Sequence, residues 1–350
     1  MTSASDVSTA SGDTPVLAIV VSPGGSLSGE KRHLGQLRPG NTRIRVRFGG
    51  ICGSDLHYVS HGAAGTSILS APMVLGHEIS GTIAEADPAS PFALGSPVTV
   101  HPATPCGTCA ECAGGQAHLC GSLRYLGSAG LVPHTDGGFA ELIDVPTAQV
   151  RVLPTGVDER RAALAEPLAV AVHAVNRAGN VQGASTVVNG AGPIGQLIVA
   201  VLAWRGAASI ATVDIATYSL DIARRLGATS IHLPADGLPD RADIVFEATG
   251  VPQAWQQAVD LVRPGGVLVQ VGLLPSGPLA LPVGLIVSRE IDYRGSFRFD
   301  GEIDEALALL TDGLDIDAVI SHVFPVADVA EAFAIAADRS ASAKVLLDFA

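Results

Sequence analysis

A glycine-rich turn, Gly190-Ala-Gly-Pro-Ile-Gly195, constrains the fold of this chain most, because an apolar strand precedes it and an apolar helix follows it. The spacing G-x-G-x-x-G is weak evidence alone, but between a strand and a helix it is typical of a turn that binds a dinucleotide. Gly190 permits the tight turn, Gly192 lets the backbone approach the pyrophosphate, and Gly195 lets the helix pack on the strand. Pro193 and Ile194 open that helix, whose N-terminus would face the anion.

Asp214 ends the next apolar strand, roughly 20 residues beyond the turn, where a carboxylate can bind the adenosine ribose hydroxyls. A carboxylate there would repel a 2′-phosphate, and the following residues, Ile215 to Leu220, include no Arg or Lys to pair with one. The sequence therefore predicts NAD rather than NADP as the cofactor. The alternative is a glycine-rich turn in which Asp214 only caps the following helix.

Short apolar strands alternate with helical patterns from about residue 165 onward. The strands include "STVVNG", "SIATVD", "ADIVFE" and "GVLVQVG", and the helices are expected at 193–205, 217–226 and 253–262. This alternation predicts an α/β domain with a doubly wound parallel sheet, in which "IDYRGSF" is a candidate sixth strand.

The rest of the chain has a different sequence pattern. Residues 15–160 are rich in β patterns broken by Gly and Pro, and residues 1–14 are rich in Ser and Thr and are expected to be flexible. The chain has 350 residues, whereas single cores stop growing at about 250–300 residues, so two domains are expected.

Charge and composition narrow the possible partners. The net charge of −13 argues against nucleic acid and anionic membranes, which both require basic patches. The sequence has no basic, apolar signal peptide at its start and no run of about 20 apolar residues. A cytoplasmic enzyme with a small-molecule substrate is the simplest interpretation.

Four of the five cysteines, Cys106, Cys109, Cys112 and Cys120, lie within one short loop. In a reducing compartment, four thiolates at this spacing favour one tetrahedral Zn²⁺ with a closed, structural shell. Disulfides are the alternative, but they would need an oxidising compartment.

The fifth cysteine, Cys52, stands alone in "GGICGSDLHY". A catalytic zinc needs two or three further ligands and an open position, and His77, Glu78 and Glu166 are candidates by residue type. Each of these residues is ambiguous by itself. A single Cys is often only a small buried hydrophobe, and Glu166 could cap the helix expected to begin at Pro167.

Five segments occur in an order that resembles the zinc-dependent medium-chain alcohol and polyol dehydrogenases: "GGICGSDLHY", "PMVLGHEISGTI", the four-cysteine loop, "AEPLAVAVHA" and "GAGPIG". The resemblance extends from about residue 16 to the end of the chain. Within the superfamily the chain is most similar to the sorbitol dehydrogenase branch and, through "HTDGGFAE" and "YRGSFRF", to members that act on aldonates.

This resemblance implies a β-rich, GroES-like catalytic domain formed by residues 15–164 and 299–350. A Rossmann domain, residues 165–298, would lie between these two segments, with the active site in the cleft. The resemblance also implies a homodimer or a homotetramer.

The resemblance also assigns expected roles to site residues. Cys52, His77 and Glu78 fall on positions of catalytic zinc ligands, and Glu166 falls where simple alcohol dehydrogenases have a second cysteine. By the same resemblance, Ser54 and His57 are expected to relay a proton, and Asp55 is expected to orient a ligand. Val271 and Phe297 are expected beside the nicotinamide. Tyr58 and Arg298 are the residues that could contact substrate.

Two of these roles stay open. Tyr58 could reach a substrate hydroxyl or only pack, and Arg298 could bind a substrate carboxylate or a cofactor phosphate. One thiolate and one carboxylate neutralise Zn²⁺, so we do not expect Glu78 and Glu166 to bind the metal tightly together. Glu78, Glu166 or water could complete the shell.

The expected reaction is hydride transfer from a secondary hydroxyl of a polyol or aldonate, sorbitol-like or L-idonate-like, to NAD. The alternatives are a threonine or simple secondary alcohol dehydrogenase and a non-catalytic relative that only binds nucleotide. Retention of the zinc and relay residues argues against the non-catalytic alternative.

Overall fold

The computed structural model describes residues 14–275 and 277–350. The predicted flexible segment, 1–14, lies outside the described residues except for Thr14, which begins the first strand. No helix in the described part of the chain has both the length and the apolar character needed to cross a membrane.

The N-terminal part is built mainly of strands, as the β patterns predict. Its strands are β1 Thr14–Val21, β2 Leu27–Leu34, β3 Asn41–Gly50, β4 Ala63–Ala64, β5 Ser67–Ile68, β6 Met73–Val74, β7 Glu78–Ala86, β8 Pro97–Val100, β9 Ala103–Thr104, β10 Arg124–Tyr125, β11 Leu142–Pro146 and β12 Val150–Val152. Its helices are α1 Gly53–His61, α2 Ala110–Ala113, α3 Glu159–Ala162 and α4 Ala165–Ala178. Short 3₁₀ turns lie at Ala117–Leu119 and Thr147–Gln149.

Strands and helices then alternate as predicted. The elements are β13 Ser185–Asn189, α5 Pro193–Trp204, β14 Ser209–Val213, α6 Thr217–Arg225, β15 Ser230–His232, β16 Ala242–Glu247, α7 Pro252–Leu261, β17 Val262–Gln270, α8 Val283–Ser288 and β18 Asp292–Gly295. The chain ends with α9 Glu302–Thr311, β19 Ile320–Pro325, α10 Val329–Ala337 and β20 Lys344–Asp348, with 3₁₀ turns at Asp317–Val319 and Val326–Asp328.

Six strands form a parallel sheet in the order β15-β14-β13-β16-β17-β18. This is the strand order of a dinucleotide-binding, doubly wound sheet, and the predicted sixth strand is confirmed as β18. Helices α4 and α5 pack on one face, and α7 covers the other, so the strands are apolar on both sides.

A second sheet unites the two ends of the chain. It has seven strands, β12-β8-β7-β3-β20-β19, with β11 also paired to β3. The C-terminal strand β20 lies antiparallel to β3, so Leu346 faces Gly50 at the end of β3. The C-terminal segment therefore belongs to the β-rich part, and the α/β class with a GroES-like and a Rossmann part is confirmed. The exact domain bounds stay a prediction.

Candidate active site

Three candidate ligands meet where β3 ends and β7 begins. The two strands are antiparallel, and Gly50 pairs with Glu78, so Cys52 and His77 lie at the same end of the sheet. One ligand atom from each of Cys52, His77 and Glu78 lies within 4.8 Å of the others. A Cβ on Gly50 would lie 2.2 Å from the Glu78 Oε2 atom, so only glycine leaves room for this carboxylate.

Asp55 ties together the two loops that carry these ligands. Its carboxylate accepts hydrogen bonds from the backbone N–H of Cys52, at 2.9 Å, and from that of Gly76, at 3.3 Å. Complete burial raises the pKa of Asp55, although the neighbouring His77 lowers it. This geometry suits a residue that orients the ligands, which is the role expected for Asp55.

Glu78 has a partner that the sequence analysis missed, Lys344 at the start of β20. The Lys344 Nζ atom lies 2.6 Å from both carboxylate oxygens and donates a third hydrogen bond, 3.1 Å long, to the carbonyl of Ile51. Burial alone would lower the pKa of Lys344, but the charges of Glu78 and Cys52 raise it. The sequence signal was a lysine at the start of the apolar strand pattern "KVLLDF".

Glu166 lies in the first turn of α4, which begins at Ala165 rather than at Pro167 as predicted. The Tyr125 hydroxyl donates a 2.6 Å hydrogen bond to the Glu166 Oε1 atom. The Tyr125 ring meets the His77 ring edge-on, with centroids 5.7 Å apart. Burial raises the pKa of Glu166, and neighbouring Glu78 adds to this effect, whereas His77 lowers it. Glu166 is thus beside the three-ligand cluster but not within it.

Arg298 stacks on the same tyrosine. Its guanidinium carbon lies 4.2 Å from the centroid of the Tyr125 ring and 4.9 Å from that of Phe297. Its backbone adopts a left-handed φ of 55°, which is strained for a residue other than glycine and is found at functional sites. Tyr58, by contrast, is buried, and its hydroxyl accepts a hydrogen bond from the Ala129 N–H, which favours the packing role.

Both expected relay residues lie on α1. Ser54 is half-buried in the first turn, and His57, one turn later, is exposed. Residues at this spacing share a helix face. Burial lowers the pKa of His57, with further lowering from His61 and Arg339. A neutral imidazole can accept a proton near neutral pH, which suits a relay residue.

The four remaining cysteines converge as predicted. One ligand atom from each lies within 4.8 Å of the others, and all are free thiols. The Sγ atoms of Cys109 and Cys112 are 3.4 Å apart, and those of Cys106 and Cys112 are 4.0 Å apart. A tetrahedral zinc with Zn–S bonds of about 2.3 Å requires sulfur separations of about 3.8 Å. Hydrogen bonds from the backbone N–H groups of Thr108 and Cys109 lower the pKa of Cys106 to about 6, which favours a thiolate.

Both donor sets fit zinc. Four thiolates make a closed structural shell, whereas one thiolate, one imidazole and a carboxylate leave a position open. The buried His77 Nδ1 atom has no hydrogen-bond partner among the described residues. Tyr125 connects the three-ligand cluster to the four-cysteine site. It contacts His77 and Glu166, and it also packs with Cys120 and Leu123 in the small core of the four-cysteine loop.

The glycine turn has the geometry that its spacing predicts. Gly190 has a φ of 107°, and a Cβ on Gly195 would lie 1.8 Å from the Gly190 carbonyl oxygen. A Cβ on Gly192 would meet no atom within 4 Å, so this position faces open space. Asp214 lies beside the turn, and its carboxylate accepts hydrogen bonds from the N–H groups of Ala191, at 2.6 Å, and Ala216, at 2.9 Å.

The two expected neighbours of the nicotinamide share a cavity. Val271 and Phe297 line a space of about 600 Å³ at the carboxyl end of the parallel sheet. The Val271 N–H donates to the Glu247 carbonyl, at 2.8 Å, which fixes the end of β17. Pro193 and Ile194 open α5 directly after the turn.

Two family models match the chain. The model of the alcohol dehydrogenase GroES-like domain matches residues 38–155, and that of the zinc-binding dehydrogenases matches residues 193–312. L-idonate 5-dehydrogenase (NAD(P)(+)) of Escherichia coli is 38% identical over 317 residues, which are 88% of this chain and 92% of that protein. A probable D-xylulose reductase A of Neosartorya fischeri is 35% identical over 87% of this chain and 88% of its own length.

Solved structures agree with these relatives. The crystal structure of the Escherichia coli L-idonate 5-dehydrogenase superposes with a TM-score of 0.92 at 35% identity, covering 96% of this chain and 99% of that one. A zinc-binding dehydrogenase of Sinorhizobium meliloti bound to NADP gives 0.87 at 29% identity, with the same coverage. The chain therefore belongs to the zinc-dependent medium-chain dehydrogenases, in which a GroES-like domain is joined to a dinucleotide-binding domain, and it is a dehydrogenase.

Proposed function

We propose that this dehydrogenase takes hydride from a secondary hydroxyl of a polyol or aldonate, and that Cys52 and His77, with a carboxylate, hold its catalytic zinc. The observation that carries the proposal is the convergence of Cys52, His77 and Glu78 within 4.8 Å. The names of the relatives, an L-idonate dehydrogenase and xylulose reductases, support this substrate class. When bound, zinc lowers the pKa of a substrate hydroxyl, and nicotinamide accepts the hydride.

Residues of the chain itself move the proton and hold the ligands in place. The Ser54 hydroxyl accepts the substrate's hydroxyl proton as it donates its own proton toward the His57 imidazole, which is exposed and can release a proton to water. Asp55 keeps Cys52 in place through its backbone N–H. Tyr125 keeps the Glu166 carboxylate directed toward the site.

A substrate panel tests the proposal directly. NADH formation would be measured with L-idonate, D-gluconate, sorbitol, xylitol, L-threonine and simple secondary alcohols. We expect the highest kcat/KM with an aldonate or a polyol. A preference for threonine or a simple alcohol would contradict the proposed substrate class, and nucleotide binding without any turnover would favour a non-catalytic relative.

Arg298 is proposed to pair with a substrate carboxylate, since its planar guanidinium is held in place by the Tyr125 and Phe297 rings. Replacing Arg298 with Ala should raise KM for an aldonate by roughly ten- to a hundredfold, as expected for a lost charge-assisted hydrogen bond. KM for an uncharged polyol should change much less. Arg224→Ala, which removes an exposed arginine beside Asp221 on α6, is the control.

A rise in KM for NAD instead would assign Arg298 to a cofactor phosphate. Unchanged KM values for both substrate and NAD would show that Arg298 has neither role.

Asp214 is proposed to favour NAD over NADP, because its carboxylate lies beside the glycine turn and would repel a 2′-phosphate. We expect a lower KM for NAD than for NADP. Asp214→Asn keeps a hydrogen-bond acceptor but removes the charge. This variant should lower the ratio of the KM for NADP to the KM for NAD by about tenfold. Asp221→Asn, an exposed acidic residue of α6, is the control. A lower KM for NADP in the unaltered enzyme would refute the preference.

A homo-oligomer is proposed, built on the edge of the parallel sheet. In the described residues β18 is the last strand, so one edge of it is open, and exposed apolar side chains lie nearby at Leu273, Val283 and Val287. Light scattering of the purified enzyme should give a dimer or a tetramer. Val287→Glu should dissociate the oligomer, whereas Val132→Glu, at a valine of the other part of the fold that is also largely exposed, should not. A monomer at micromolar concentration would contradict this.

A cytoplasmic location is proposed as well, because four thiolate ligands need a reducing compartment. Recovery of the enzyme in an extracellular or membrane fraction of its source cell would contradict that location.

A further inference from the structure

Glu247 is a buried carboxylate that the proposed mechanism does not use. It is the last residue of β16, at the carboxyl edge of the parallel sheet, and it is 0% exposed. The backbone N–H groups of Thr249 and Gly250 donate to its carboxylate, at 2.8 Å and 3.3 Å. The Thr249 hydroxyl and the Gln270 Nε2 atom, the latter at 2.5 Å, also donate to it. A fully buried glutamate is rare unless it is paired, so this position needs an explanation.

The partners of Glu247 show how its charge is held. All four groups donate hydrogen bonds, which suits an ionised carboxylate, because that group can only accept them. None of the four carries a positive charge. Glu247 therefore keeps a net negative charge beneath this edge of the sheet.

That charge lies directly behind the wall of the 600 Å³ cavity in which the nicotinamide is expected. The next strand of the sheet supplies the wall, through Gln270, Val271 and Gly272. The N–H groups of Val271 and Gly272 both donate to the backbone carbonyl of Glu247, at 2.8 Å and 2.9 Å. A Cβ on Gly272 would lie 2.9 Å from the Glu247 Oε2 atom, so no other side chain separates the carboxylate from the wall at this point.

We propose that the buried charge of Glu247 makes the enzyme favour the oxidised cofactor, NAD⁺, over the reduced cofactor, NADH. This inference rests on the proposed function, in which NAD⁺ is the hydride acceptor. The nicotinamide ring of NAD⁺ is positively charged, and the hydride that it accepts from the carbinol carbon makes it neutral. A fixed anion behind the ring stabilises only the charged form, and it does so more strongly in a site that excludes water.

The ratio of two affinities separates this role from a structural one. Glu247 also joins the turn after β16 to the end of β17, so a loss of structure alone would weaken the binding of NAD⁺ and NADH by the same factor. A loss of charge would weaken the binding of NAD⁺ alone. The other charged or titratable side chains that line the cavity are His118, His173, Arg177, Asp300 and Glu302. They are present in every variant tested, so a change in the ratio reports on the charge that was altered.

The test measures the Kd of NADH by its fluorescence and the Kd of NAD⁺ by competition. For Glu247→Gln we expect the ratio of the Kd for NAD⁺ to the Kd for NADH to rise about tenfold. Glu247→Asp keeps the charge on a shorter side chain, so both Kd values should rise together. The matched control is Asp243→Asn at the opposite end of β16, where the carboxylate binds Ser185 and Arg263, and its ratio should equal that of the unaltered enzyme.

A second pair of variants keeps the inference testable if Glu247→Gln folds poorly. Gln270→Lys supplies a cation beside the Glu247 carboxylate and should raise the same ratio, whereas Gln270→Met removes the hydrogen bond without a change in charge and should not. An unchanged ratio in both Glu247→Gln and Gln270→Lys would overturn the role of Glu247. These affinities do not depend on turnover, so failure to oxidise any polyol or aldonate would refute the proposed substrate class alone. An unaltered enzyme that binds neither NAD⁺ nor NADH would overturn the cofactor assignment and this inference with it.

Discussion

Replacing Cys52 with Ser should lower the zinc content from two ions per chain to one and reduce kcat/KM at least about a thousandfold. Cys52 supplies the only thiolate of the three-ligand cluster, and a serine hydroxyl is a poor zinc ligand at neutral pH. Without the metal, no group remains that can lower the pKa of the substrate hydroxyl. Metal analysis and the rate of NADH formation would measure both effects.

The same variant should leave the rest of the enzyme intact. The glycine turn begins at Gly190 on a different sheet, so NAD affinity, measured by fluorescence titration, should change less than about twofold. Cys109→Ser is the matched control, because it removes a thiolate from the four-cysteine set. This variant should lose the zinc of the four-cysteine site and keep the zinc at Cys52. Two zinc ions and a normal rate in Cys52→Ser would disprove the assignment of Cys52.

Gly195→Ala should lower both stability and NAD binding, whereas Gly192→Ala should lower only NAD binding. A methyl group at Gly195 would lie 1.8 Å from the Gly190 carbonyl oxygen, so α5 must move away from the turn. We expect a loss of about 2 kcal/mol or more in the free energy of unfolding and no measurable NAD binding, as overpacking of a close contact predicts. A methyl group at Gly192 meets nothing in the protein but occupies the space that a pyrophosphate would need.

Gly192→Ala should therefore melt within about 2 °C of the unaltered enzyme while its KM for NAD rises at least about tenfold. Thermal unfolding and steady-state kinetics separate the two effects. Gly53→Ala is a control at another glycine whose added Cβ would meet nothing within 4 Å. Equal KM values for Gly192→Ala and the unaltered enzyme would show that the cofactor does not approach the backbone at this turn.

The parallel sheet could be predicted from the sequence because its signals are local. Each strand is a short apolar run, each helix follows within a few residues, and the glycine turn marks where the first pair meets. The observed helices α5, α6 and α7 begin or end within one residue of their predicted bounds. The four-cysteine site was equally accessible, because all its ligands lie in one loop.

The environment of the two carboxylates could not be predicted in this way. Lys344 contacts Glu78 across a separation of 266 residues, and Tyr125 contacts Glu166 across 41. Both contacts depend on how sheets and loops pack, and this packing cannot be inferred from a local sequence pattern. The resemblance placed Glu78 among the zinc ligands, but only the fold shows that a lysine holds both of its oxygens. The roles of the site residues themselves stay predictions.

The measurement that tests the central claim most directly is the rate of NADH formation as zinc is returned to depleted enzyme. A chelator would remove the zinc proposed to bind at Cys52 and His77 and leave the ion proposed for the four-cysteine site, and zinc would then be added in steps. We predict no turnover with one zinc per chain and a linear rise in rate to a maximum at two. Full activity with a single zinc per chain would contradict the account.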